Sequence, residues 1–169
     1  MARNQFSSAA QSQINAALDM LRECILKCPS KHWETPVGTW PFWMVAYHTL
    51  CFTDFYLAPK KSAWKPDKGT RLAPGLHPKG LQELWAERPS RKFERDELVR
   101  YVDVVKQKAV AALAAETAKS LKGSSGFHWI TGPRTDTYFY NLRHLAHHTG
   151  QLTCFLWRIG VKTRWVREG

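Results

Sequence analysis

The segment WPFWMVAYHTLCFTDFYL, residues 40–57, constrains this chain more than any other. Wound as a helix it is apolar on nearly every face, with His48 near its centre and Asp54 as its only formal charge. A helix of that kind is stable only when other elements enclose it, so it belongs in the middle of a structure. Thr39 is the expected N-cap, with Pro41 near the first turn and the helix running to about Leu57.

Three further segments carry the spacing of three and four that marks an amphipathic helix. The first runs from about Asn4 to Leu26, with Ile14, Leu18, Leu21 and Ile25 on one face, and is broken by the prolines and glycine of CPSKHWETPVG. ERDELVRYVDVVKQKAVAALAAETAKSL is the next, with acids in its first turn and lysines near its end, as the helix dipole favours. KGSSGFHWITGP reads as loop. The last helix is expected from about Thr135 to Ile159, stopped by Gly160.

Between the second and third helices, residues 58–92 form a long connection rich in Pro, Gly and Lys, with one short helix expected around GLQELWAE. Connections of this length are uncommon in compact domains and are often functional. Its basic residues form either a solvated loop or a positive cover over a cleft that takes an anionic cosubstrate. With no convincing strand, these elements predict an all-α chain: one domain over residues 1–169, built as a four-helix bundle with a long connection between helices 2 and 3.

The formal net charge is +11 over 169 residues. Between Lys60 and Arg100, however, eleven Lys or Arg residues are mixed with six Asp or Glu, and no block of five like charges occurs. That distribution argues against a nucleic-acid arm, and nucleic acid is not the expected partner. Cys24, Cys28, Cys51 and Cys154 have apolar, helical flanks. Cys24 and Cys28, four apart, read first as buried structural thiols, although that spacing could also hold a metal or a redox pair. MARNQFSSAAQ lacks a hydrophobic signal stretch and no apolar run is long enough to span a bilayer. A reduced, cytoplasmic setting without a membrane partner is expected.

NLRHLAHHTGQL, residues 141–152, puts three histidines within five positions. At about 100° per residue, with His144 at zero, His148 falls near roughly 40° and His147 near roughly −60°. The apolar face marked by Leu145, Leu152, Phe155, Leu156 and Ile159 centres near roughly 75°, so His148 points inward, His144 lies at the edge and His147 points away. Residues four apart stack on one helix face, so His144 and His148 can converge on one ion, and His48 on the enclosed helix is the candidate third ligand. Each histidine taken alone is better explained as a hydrogen-bonded core residue or part of a polar stripe; the three together favour a metal. Three neutral imidazoles would leave a divalent ion with its full charge and an open position, the arrangement of catalytic sites. Zinc or nickel suits such a set better than magnesium or calcium. An ion held this way can activate bound water or a thiol. Gln151, near roughly −20° on the same wheel, could orient a water or the His48 ring, or be a half-buried core amide. Gly150 suggests close backbone approach or ligand access. His77, His128 and His32 read as loop residues on the surface, with His77 or His128 able to close over the site. Cys51, one turn after His48, borders the pocket or packs; Trp40, Trp43, Trp85 and Trp157 are core or pocket wall.

HLAHHTGQL followed by LWRIG resembles the closing helix of the DinB/YfiT-like metalloproteins, whose pattern is His, three residues, His, one residue, Gly-Gln, then Arg and Gly. His144, His148, Gly150, Gln151, Arg158 and Gly160 match it, and His48 corresponds to the mid-helix ligand of the family's second helix. The likeness spans most of the chain. It implies a four-helix bundle with an open three-histidine metal site formed by His48, His144 and His148, often in a homodimer. It also implies activities such as thiol-dependent transfer, on a small-molecule substrate with a low-molecular-weight thiol. The chain departs from a hydrolytic pattern in having no carboxylate placed as a general base: Asp54 lies six residues past His48, on another face. The expected function is activation of a thiol or of water at this site; the alternative is a non-catalytic metal- or ligand-binding homodimer.

Overall fold

The computed structural model describes residues 4–69 and 75–169. Part of the long connection, residues 70–74, and the first three residues lie outside the described residues. Among the described residues the chain is all-α apart from one small hairpin. Four long helices carry the fold: α1 (Gln5–Lys27), α2 (Phe42–Leu57), α4 (Arg95–Ala115) and α6 (Arg134–Arg158). The short helices α3 (Gln82–Trp85) and α5 (Ala118–Lys122) lie in the connections. The hairpin pairs β1 (Pro36–Val37) with β2 (Trp40–Pro41) in antiparallel register.

The long helices close a ring, α1 against α4 and α6, and α2 against α4 and α6. The core is where they meet: Ile14, Leu18, Leu21 and Ile25 of α1 face Leu98, Val102, Val105, Ala109 and Leu113 of α4, all withdrawn from solvent. Burying each of the Val, Leu and Ile side chains contributes about 1.5–3 kcal/mol. Asn4 caps α1, its side chain accepting from the Ser7 N–H at 2.8 Å. Gly160 adopts a φ of +81°, and the Val161 N–H reaches back to the Leu156 carbonyl at 2.8 Å, which ends α6 where the sequence places its stop.

The enclosed helix behaves as its composition requires. Every residue of α2 is buried except His48. Its two threonines satisfy their hydroxyls within the helix, Thr49 on the Val45 carbonyl and Thr53 on the Thr49 carbonyl. Its start differs from the expectation: Pro41 takes the cap position without a side-chain bond, because Trp40 and Pro41 pair with Pro36 and Val37 in the hairpin. No strand was expected there.

Two further elements differ from the sequence reading. The third long helix ends at Ala115 instead of continuing to Leu121, so its last turn carries no base, and Thr117 caps the separate α5. Glu116, at the break, turns its carboxylate onto Arg134 (3.0 Å) and the Tyr138 hydroxyl (2.8 Å). Arg134, which is buried, donates to the Tyr56 and Leu57 carbonyls at the C-terminal end of α2, where a cation is favoured.

Among the described residues of the connection after α2 the lysines are exposed, as a solvated loop requires, but the chain between them is tied down. Trp64, His77, Glu83 and Leu84 are buried in it. The Asp67 N–H donates to His77 Nδ1 at 3.0 Å, which leaves Nε2 to donate to the Tyr101 hydroxyl at 2.5 Å. Tyr101 donates onward to Asp54 (3.3 Å), which Lys108 holds through both carboxylate oxygens at 2.8 and 2.9 Å. His77 therefore pins the connection to α2 and α4 instead of sitting on the surface, and it does not close over the histidine group.

Candidate metal centre

His48 sits at the middle of α2, and His144 and His148 sit one turn apart on the face of α6 that packs against it. The pairing is held on either side of them. Leu145, Leu152 and Leu156 fill the core, and the Asn141 side chain donates to the Thr53 carbonyl at 3.0 Å. The three imidazoles consequently meet: ring centroids are 5.1 Å apart for His48 and His144, 4.9 Å for His48 and His148, and 4.5 Å for His144 and His148. Each offers one nitrogen within 4.8 Å of the others, a group that could hold a metal ion.

The contacts of the rings say which nitrogens are free. His148 Nδ1 lies 2.8 Å from Gln151 Oε1, an acceptor, so Nδ1 carries the proton and Nε2 keeps its lone pair. His48 Nε2 and His144 Nε2 face each other at 3.2 Å. Two unprotonated nitrogens repel at that distance, so a proton or a cation belongs between them. His144 Nδ1 is buried with no hydrogen-bond partner. Burial, joined by the neighbouring histidines, holds His48 down to about 4 and His144 to about 3. It lowers His148 too, against the opposing Gln151 bond. All three are therefore neutral at physiological pH, the form in which imidazole binds metals. The donor set fits a divalent transition metal: three imidazole nitrogens with no carboxylate among them.

The surroundings are aromatic. Trp40 lies against His48 at 5.0 Å and Phe52 at 4.7 Å, and Phe52 also meets His144 at 5.3 Å. The hairpin is what brings Trp40 to the site.

The DinB superfamily model matches residues 13–152. The chain belongs to the DinB superfamily. No curated protein and no solved structure matches it. All three histidines and Gln151 lie within the matched residues.

For this DinB superfamily chain the other sequence candidates divide clearly. Gln151 is exposed and pairs with His148, not with His48. Gly150 has open space where a Cβ would stand, so no close backbone approach requires it. His147 is exposed and only borders the His148 ring, and His128 is exposed against Trp129. His32 bonds Thr35 in the loop after α1. Cys24, Cys28 and Cys51 are buried, and burial pushes the Cys24 and Cys28 thiols up to about 11, which makes them inert. Asp54 is occupied by Lys108 and Tyr101 and does not join the histidines. Trp43 is core, whereas Trp157 is 60% exposed and lines a groove under the C-terminal tail. Of the recess that Phe52, Tyr56, Trp85, Trp129 and Tyr140 form beside His144, sequence reasoning named only Trp85, as core or pocket wall. The density of aromatics was its only signal. Among the described residues no helix is long and apolar enough to cross a membrane.

Proposed function

We propose that His48, His144 and His148 ligate one divalent transition metal, zinc or nickel, and that the chain is a metal-dependent enzyme acting on a small molecule with a low-molecular-weight thiol. The observation that carries this reading is the convergence of three neutral imidazoles from two helices in a group without any acid. The ion would supply Lewis acidity toward a thiol or a water molecule. The chain's own contribution is to hold the rings: Gln151 fixes the tautomer of His148, and Trp40 and Phe52 flank His48 and limit water around it.

Thiol activation is favoured over hydrolysis by what the neighbourhood lacks. Neither the histidine group nor the recess beside it includes a carboxylate to serve as general base, and Asp54 is engaged elsewhere. A thiol, with an ordinary pKa of about 8.5, needs a far smaller depression than water, at about 15.7, to give its proton to solvent near neutral pH, so it depends less on a base placed beside the ion. We read the ring of long helices as the four-helix bundle of one domain, and the family resemblance adds a homodimer. Turnover of electrophilic substrates by metal-loaded protein tests the reading. Dependence on added thiol supports it; turnover without thiol assigns a hydrolase, and a metal-loaded chain inert with both leaves a binding protein.

A further inference from the structure

Beside the histidines lies a recess that shares only His144 with the metal-ligating group. Phe52 and Tyr56 of α2, Trp85 of α3, Trp129 of the loop before α6, and Tyr140 and His144 of α6 enclose about 390 Å³. That is within the range of small-molecule sites. Its walls meet largely edge to face: Phe52 and Trp85 at 5.5 Å, Trp85 and Trp129 at 5.8 Å and 89°, Tyr56 and Tyr140 at 5.1 Å. Perpendicular neighbours offer a flat guest one face to stack on and one edge to meet. Trp129 is anchored by its N–H on the Tyr56 hydroxyl at 3.2 Å. Trp85 keeps 55% of its surface exposed although it is large and apolar, an arrangement a bound guest would relieve.

Charge selects among guests. A box of aromatic rings can take an organic cation, but here Lys61 already lies over the Trp129 ring at 5.9 Å and Arg143 over Tyr140 at 5.1 Å. No carboxylate lines the recess, so a third cation would meet like charge without compensation. A planar aromatic group, neutral or carrying a carboxylate, stacks on the same rings and is complementary to those two cations.

We propose that this recess is the substrate subsite for a planar aromatic group, neutral or anionic, whose reacting atom is thereby presented to the three histidines. Its role as a substrate subsite rests on the metal-centre reading; its capacity to hold an aromatic ring does not.

The test is calorimetric titration of 2-naphthoate into the chelator-treated chain and into the zinc-loaded chain. Saturable binding at one site per chain is expected in both, weakened about tenfold or more by Trp85→Ala and unchanged by Trp165→Ala on the exposed tail. 2-Naphthylmethylamine is expected to bind about tenfold more weakly than the acid. Should Trp85→Ala lose helicity, Trp129→Leu serves the same comparison with the apolar wall retained. Absence of naphthoate binding in both forms, equal affinity in the wall variants, or equal affinity for the amine would overturn the proposal. A chain that loads zinc but ignores naphthoate loses the subsite and keeps the metal centre. One that binds naphthoate through Trp85 but takes no metal keeps a ring-binding site and loses its catalytic role.

Discussion

His48 and His144 meet Nε2 to Nε2 at 3.2 Å across the interface of α2 and α6. The contact joins the one residue of α2 that is not buried to a residue at the edge of the core stripe of α6. A helix that had to be enclosed thus leaves a single polar opening, and the neighbouring helix fills it with two imidazoles.

Gln151→Ala removes the acceptor that holds the His148 tautomer, while leaving every ligand nitrogen in place. The expected outcome is a fall in metal affinity of about tenfold or more, as for other groups that orient a ligand. Competition with a chromophoric chelator measures it, and Gln151→Glu, which keeps the acceptor, should retain wild-type affinity or exceed it. Equal affinity in the alanine variant would show that the bond to His148 does nothing for the site.

His77 predicts an acid sensitivity distinct from the metal centre. Burial holds its pKa at about 4, below the ordinary value of 6.5, with the Asp54 carboxylate opposing that shift. The unfolded chain therefore binds the proton first. The contribution is fully present above pH 6.5, is lost progressively as pH falls toward 4, and changes little below that. In urea unfolding of chelator-treated protein, His77→Gln keeps a donor for Tyr101 and should lose up to about 3 kcal/mol less than wild type between pH 7 and 4. Parallel pH profiles for the two proteins would refute this.

Two glycines should respond in opposite directions. Gly126 has a φ of +83°, and a Cβ there would collide with the Pro59 carbonyl, where the connection after α2 docks on the loop before α6. Gly126→Ala should destabilise by about 1–3 kcal/mol. Gly150 lies within α6 with nothing around its missing side chain, so Gly150→Ala should stabilise by about 0.4–1 kcal/mol. Thermal unfolding of the two variants decides both.

The four long helices and the three histidines were legible because each rests on local spacing. Apolar residues of α1 and α6 recur with the helical period, and α2 announces its own enclosure. What escaped the sequence depends on distant partners. The helix expected to reach Leu121 stops at Ala115, where Glu116 turns its carboxylate to Arg134, eighteen residues on. His77 carries no local mark of burial; Tyr101 and the Asp67 backbone supply its partners. The recess joins rings from α2, α3, a loop and α6, and no periodicity brings those together.

The account stands on the three-histidine centre, and metal content measures it most directly. Untagged protein purified without added metal would be analysed by mass spectrometry beside His48→Ala and the double variant His144→Ala/His148→Ala, with far-UV circular dichroism checking that the helices persist. The account predicts about one zinc or nickel per chain in the wild type and close to none in either variant, at unchanged helicity. A wild type that is metal-free and also fails to take up added Zn²⁺ or Ni²⁺ would contradict it, leaving the histidines as a polar seam between α2 and α6.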